Sequence, residues 1–131
     1  MDFLFQIRAK FNYSKATSKT LTYIFFMMKL LTTPPDLSRM ARPNWIEINL
    51  DALCNNIQFI RSQIPANTKI LLPVKADSYG HGSLACSFAA KFGGADYLGV
   101  AHIGEGMLLR QYGMDLPILV LGPCTPADFA Y

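Results

Sequence analysis

Near the middle of the chain the sequence runs Lys69-Ile70-Leu71-Leu72-Pro73-Val74-Lys75-Ala76-Asp77-Ser78-Tyr79-Gly80-His81-Gly82. Lys69 to Val74 is a short, mostly apolar run between turn signals, which predicts a buried strand of a parallel sheet. Pro73 sits awkwardly near its end, because proline cannot donate to a strand ladder. Lys75 to Gly82 has the composition of a loop. A helix is predicted from Ser83 to about Phe92, with Leu84, Phe88 and Phe92 turned inward and Gly93-Gly94 as its stop.

Lys75 therefore falls where a strand ends and a loop begins, the place where parallel α/β folds gather their reactive groups. Desolvation there would lower the lysine pKa and favour a neutral amine. Such an amine can attack an aldehyde. The plainer alternative is a lysine that snorkels its charge from the strand end to water. The loop adds further signals. Gly80 and Gly82 can adopt backbone shapes closed to other residues and let a ligand approach. Tyr79 offers a hydroxyl donor, and the N-terminus of the following helix favours an anion such as phosphate. His81 could donate to a ligand or be satisfied by local backbone.

Working outward, Trp45 to Leu50 alternates apolar and polar residues, as a half-buried strand does. Asp51 is placed as a helix N-cap. Leu53, Ile57, Ile60 and Ile64 recur on one helical face, and Pro65 ends the helix. Downstream, Tyr97–Val100 predicts a strand. Ile103 to Tyr112 predicts a helix, with Ile103, Met107 and Arg110 down one side and Gly113 as its stop. Pro117 to Leu121 predicts a further buried strand, and Pro126 with Asp128 would open another helix. Strands alternating with helices of this length imply right-handed βαβ units and a parallel sheet. The count amounts to about half of a barrel or open sheet, so the chain is expected to be a portion of a larger protein.

Residues 1–40 do not continue this pattern. They hold six basic and two acidic side chains, whereas residues 41–131 hold six and seven. The part from residue 41 onward is thus nearly neutral, and nothing in it calls for nucleic acid or an anionic membrane. The apolar run Tyr23–Met28 is far shorter than the roughly 20 residues a membrane span needs. Three readings of the segment stay open: an artefact of an upstream start with Met40 as the true first residue, a basic Ser/Thr-rich targeting extension, or a disordered tail. Pro34-Pro35 marks its boundary.

Three cysteines, Cys54, Cys86 and Cys124, stand at wide and irregular spacings. That argues for free buried thiols in a reducing cytosol rather than a disulfide framework. His81 and His102 form no metal-ligand spacing with them, so no metal site is expected.

The stretch Val74-Lys75-Ala76-Asp77-Ser78-Tyr79-Gly80-His81-Gly82 resembles the cofactor-attachment motif of the alanine racemases: valine, lysine, alanine, Asn or Asp, a small residue, then Tyr-Gly-His-Gly. Flanking matches occur in the same order. Arg42-Pro43-Asn44-Trp45 and Glu47 to Leu53 resemble the family's opening. Gly94 to Ala101, Glu105-Gly106 and Leu109-Arg110 resemble its third unit, and Pro117 to Gly122 its fourth strand. Pro73 departs from the aliphatic residue usual in the family, and Gly93-Gly94 from a single glycine.

The resemblance implies an α/β fold, the truncated N-terminal portion of a (β/α)8 TIM-type barrel that binds pyridoxal 5'-phosphate, occupying residues 41–131 after an extension of residues 1–40. It implies that Lys75 carries the cofactor and serves as one catalytic base, that Tyr79 contacts the cofactor phosphate and that Leu121 lines the site. The implied substrate is alanine, interconverted between its enantiomers by a cytoplasmic homodimer that supplies D-alanine for peptidoglycan. The family's second base, a tyrosine from the other subunit, and its pyridine-facing arginine lie in a C-terminal domain and have no counterpart in this sequence. The 131 residues alone are accordingly expected to be inactive. Two other outcomes follow from the same residues: a barrel module that binds the cofactor without turnover, and a decayed gene product.

Overall fold

The computed structural model describes residues 6–10 and 45–130. The chain divides into two compact units, residues 1–51 and 52–131. In the first, strands β1 (Gln6–Lys10) and β2 (Trp45–Asn49) pair in parallel, Gln6 opposite Trp45 through Lys10 opposite Asn49. β1 lies inside the segment 1–40 expected to lack regular structure. Its sequence, Gln-Ile-Arg-Ala-Lys, does carry the period-two alternation of a strand over five residues. The Pro34-Pro35 boundary and the Met40 start lie outside the described residues.

Helix α1 (Leu50–Gln63) begins at the end of the first unit, with Asp51 inside its first turn rather than at its cap. An acidic side chain there suits the positive end of the helix dipole. In the second unit, strands β3 (Leu71–Pro73), β4 (Tyr97–Val100) and β5 (Ile118–Val120) form a parallel sheet in sequential order. Helices α2 (Ser83–Gly93) and α3 (Ile103–Gln111) connect them. A short 3-10 helix, Pro126–Ala130, stands where another helix was expected to open.

One core joins these elements. Ile57 of α1, Ala90 of α2 and Leu109 of α3 pack with Val74, Leu98 and Val100, and Leu72, Ile118 and Val120 close against them. Side chains alternate across a strand, so Leu72, Val74, Leu98, Val100, Ile118 and Val120 all belong to one face of the sheet. All three helices cover that face. A sheet with sequential order and helices on one side is singly wound, as a barrel wall is, whereas a doubly wound sheet carries helices on both sides.

The other face carries Leu71, Pro73, Gly99, Leu119 and Leu121. Leu119 and Leu121 are 49% and 47% exposed. The expectation of a fully buried strand at Pro117–Leu121 is corrected accordingly: only one of its faces is covered among the described residues. A Cβ on Gly99 would lie 3.0 Å from Leu71 Cδ2 and 3.2 Å from Leu121 Cδ1, so the glycine lets these two leucines close across β4.

Pro73 is tolerated for a geometric reason. Val74 N–H donates to Gly99 O at 2.7 Å. In a parallel ladder alternate residues face a given neighbour. The missing donor of Pro73 therefore points away from β4.

Two helices bury faces other than those expected. In α1, Ile60 is 47% exposed, while Cys54 and Ile57 are buried. The buried stripe is rotated toward Cys54, whose thiol donates to Ala89 O at 3.0 Å. Gly93 permits this approach, since a Cβ there would meet Cys54 O at 3.1 Å and Ile57 Cβ at 3.0 Å. In α3, Gly106 and Leu109 are buried. Ile103, Met107 and Arg110 share one side as predicted, but that side lines an open groove with Ile118 and Val120. Gly94, at φ 93°, ends α2 in the left-handed region that favours glycine.

Cys54 and Cys86 are buried free thiols as predicted, and Cys124 is exposed. Burial raises the Cys86 pKa above its ordinary value, which leaves the thiol protonated and unreactive. Among the described residues no helix is long and apolar enough to cross a membrane.

Asp96 ties the entry ends of β3 and β4 together. It accepts from Ile70 N–H at 2.8 Å and pairs with Arg61 and, at 3.3 Å, with Lys69. The Ile70 backbone bond first, then the Arg61 guanidinium, lower its pKa from an ordinary 3.8 to about 2. A carboxylate whose folded pKa is depressed adds stability above its unfolded pKa and loses it as pH falls toward the folded value. The Asp96 contribution is therefore full above pH 3.8 and fades toward about 2. Asp96→Asn is expected to flatten the acid limb of the denaturation midpoint between those pH values. An unchanged acid limb would show that Asp96 does not set it.

Candidate functional site

After β3 the backbone does something the composition did not signal. Lys75–Gly80 forms a single helical turn in which Ala76, Asp77, Ser78 and Tyr79 have φ between 50° and 55° and ψ between 38° and 49°. This is left-handed helix, where each non-glycine residue costs about 1–2 kcal/mol. Four in succession are rarer than a single excursion, and strain of this kind collects at functional sites. The expected loop is thus a left-handed turn, followed by Gly80 and Gly82 at φ 83° and 88° with His81 at φ −95° between them.

Backbone and side-chain hydrogen bonds hold the turn in place. Ser78 N–H donates to Val74 O at 3.0 Å, and Gly82 N–H to Asp77 O at 2.9 Å. The Asp77 carboxylate accepts from Ser83 N–H at 2.6 Å. The N-terminus of α2, predicted to attract a phosphate, therefore already holds an anion from its own chain. His81 Nδ1 lies 2.9 Å from Ser78 O and 3.2 Å from Tyr79 O. Both are acceptors, so Nδ1 carries a proton, and His81 is satisfied by local backbone.

A further residue was quoted in the sequence only as part of a resemblance. Glu105, in the first turn of α3, reaches back to its own helix start: Oε2 accepts from Ala101 N–H at 2.7 Å. This is the reach of an N-terminal capping glutamate. Its Oε1 accepts from Ala76 N–H at 2.8 Å, the residue directly after Lys75. Burial pushes the Glu105 pKa up, but the Ala101 and Ala76 backbone donors outweigh it and the net shift is downward. A sequence signal existed: a glutamate three residues after the N-cap position, His102. Nothing in the sequence revealed its second partner.

The predicted site residues sit as follows. Lys75 is half-buried and opens the left-handed turn. β3 ends at Pro73, and Val74, at ψ 17°, turns the chain out of the strand into Lys75. Among the described residues its ammonium makes no ion pair. Tyr79 closes the turn and is 61% exposed, and Leu121 follows β5 on the open face. The three residues thus present a primary amine, an exposed phenol and an exposed apolar side chain. No cluster of residues suited to hold a metal ion occurs among the described residues.

Comparison with known proteins points to one family. The family model described as "Alanine racemase, N-terminal domain" matches residues 48–131. The chain is 44% identical over 94 residues to an alanine racemase of Geobacillus kaustophilus (strain HTA426), covering 72% of this chain and 24% of that protein. It is 48% identical over 84 residues to alanine racemase 2 of Bacillus subtilis (strain 168), covering 64% and 21%. Among solved structures, the alanine racemase of Clostridium difficile 630 superposes with a TM-score of 0.63 at 41% identity, over 70% of this chain and 24% of that one. That of Bacillus anthracis, solved with bound L-Ala-P, gives 0.65 at 40% identity, over 68% and 23%. The chain thus spans roughly a quarter of the length of the curated relatives it matches.

The left-handed turn makes a simple demand on position 76. Glycine occupies that region freely, whereas a β-branched residue does not. Ala76→Gly is expected to leave the urea midpoint unchanged or raised, and Ala76→Val to lower stability by about 1–3 kcal/mol. Equal midpoints for the two variants would rule out a left-handed Ala76.

Proposed function

The chain belongs to the family of alanine racemase N-terminal domains, and we propose that it is the front part of a pyridoxal-phosphate-dependent alanine racemase, with Lys75 as the residue that carries the cofactor. The observation that supports this most is the half-buried Lys75 at the exit of β3, followed at once by a strained left-handed turn. The donor set fits the cofactor. Lys75 supplies the amine, Tyr79 a hydroxyl for the phosphate and Leu121 an apolar surface for the ring. Residues 41–131 would form the barrel portion, and residues 1–40 an extension.

When bound, pyridoxal phosphate supplies an electron sink that stabilises negative charge at the α-carbon of an amino acid. The chain's own part is to bind, orient and move a proton. The Lys75 ε-amine would hold the cofactor in the resting state. Once an amino acid has taken its place, the freed amine would remove the α-proton from one face, that of the D-enantiomer. Racemisation requires a proton to be delivered to the opposite face of the same carbon. In this reading that group is a tyrosine of a second subunit, in a C-terminal domain, so the working form is a homodimer. The substrate is alanine, and the product D-alanine serves cell-wall peptidoglycan from the cytoplasm.

The test uses the longest natural form of the chain. Pyridoxal phosphate followed by borohydride should label Lys75, identified by peptide mapping, and Lys75→Ala should abolish both the label and the exchange of the alanine α-hydrogen with solvent deuterium. A label spread over other lysines, with Lys75→Ala unchanged, would overturn the proposal. Labelling of Lys75 without α-hydrogen exchange would instead favour a module that binds the cofactor and does not turn over.

A further inference from the structure

We infer that Glu105 is a positioning residue for Lys75: its carboxylate bridges the start of α3 to Ala76 N–H and so holds the left-handed turn that presents the lysine. The inference rests on the reading of Lys75 given above.

Three observations carry it. Glu105 uses separate oxygens for separate tasks, Oε2 on Ala101 N–H at 2.7 Å and Oε1 on Ala76 N–H at 2.8 Å. One oxygen would suffice to cap α3; the other, which also lies 3.9 Å from His102 Nε2, accepts its hydrogen bond from the neighbouring βα connection. Its target, Ala76, is the first of the consecutive non-glycine residues with positive φ, at 50°. An unfavoured backbone state persists only where surrounding contacts over-determine it. The other turn contacts act further along: Asp77 on Ser83 and His81 on the Ser78 and Tyr79 carbonyls. Among the described residues, Glu105 supplies the side-chain contact nearest the lysine. A carboxylate accepting two backbone N–H bonds is also among the stronger uncharged-donor arrangements.

The group acts through the backbone and not on the substrate. Its removal should therefore weaken retention of pyridoxal phosphate on Lys75 and leave the identity of the labelled residue unchanged. In the longest natural form of the chain, Glu105→Ala is expected to weaken retention roughly tenfold or more, the value of a charge-assisted hydrogen bond. Glu105→Gln has a single acceptor oxygen for two donors and should fall between Glu105→Ala and the parent.

The discriminating variant adds Ala76→Gly to Glu105→Ala. Glycine takes the left-handed conformation without help. The double variant should therefore regain most of the cofactor retention while keeping whatever loss of thermal midpoint the broken α3 cap causes. Retention is read from the visible absorption of the lysine-bound cofactor and from the borohydride label, and thermal midpoints are measured alongside. Parent-like retention in Glu105→Ala would overturn the inference. So would retention that falls strictly with the midpoint and is not restored by Ala76→Gly, because Glu105 would then be a helix cap only. If Lys75 of the parent chain takes no label, the underlying reading has failed, and the inference falls with it. Labelling of the parent separates that case from the other two.

Discussion

The last rung of the β3–β4 ladder, Val74 N–H to Gly99 O at 2.7 Å, is the constraint on which the rest of the site depends. It fixes the end of β3 against a strand buried in the core. Val74 itself is almost fully enclosed. One residue later the chain leaves the sheet as Lys75 and turns left-handed. A shift of one residue at this rung would exchange the faces of the strand and turn Val74 toward the open side. Burial of Val74, Leu98 and Val100 opposes that slip, so the packing of the helix-covered face also fixes where the strand ends and the turn that carries Lys75 begins.

Two carboxylates perform parallel tasks at opposite ends of the same pair of strands. Asp96 accepts from the backbone just before β3 and stands just before β4. Glu105 accepts from the backbone just after β3 and just after β4. Each is charged where a backbone N–H lacks a ladder partner, and each is held below its ordinary pKa by those donors. The arrangement satisfies donors that the short strands leave over. At the entry end a guanidinium and an ammonium join the carboxylate, as suits a structural staple. At the exit end the carboxylate has only His102 Nε2, at 3.9 Å, as an ion-pair partner among the described residues, and the exit end is where parallel α/β folds place their chemistry.

Much of the second unit was legible from residue order. β4 falls at the predicted Tyr97–Val100, and α2 ends at the predicted Gly93-Gly94 stop, because both signals are local. The faces of α1 and α3 were less legible. Ile60 fits the apolar period of α1, yet the stripe is rotated toward Cys54 by the close approach of Gly93, a contact between distant positions. The left-handed turn was not legible at all. Ala-Asp-Ser-Tyr contains no glycine, and the contacts that support that backbone, among them those from Glu105, Asp77 and His81, are not written in its own propensities. Lys75, Tyr79 and Leu121 could be named from a motif, but the carboxylate behind Ala76 belongs to another βα unit, and spacing alone does not connect the two. β1 carried a readable alternation that the basic composition around it obscured.

The bond between Glu105 and Ala76 spans 29 residues of chain. Local propensity cannot stand in for it, since the conformation it supports is locally unfavourable. The entropy of closing that loop must be met before the contact contributes anything. During synthesis, then, the segment holding Lys75 leaves the ribosome well before its support does. The turn takes its final form only when β4 has paired and the first turn of α3 exists. Readiness of the lysine is therefore a late event in the folding order, tied to completion of the next βα unit and not to its own.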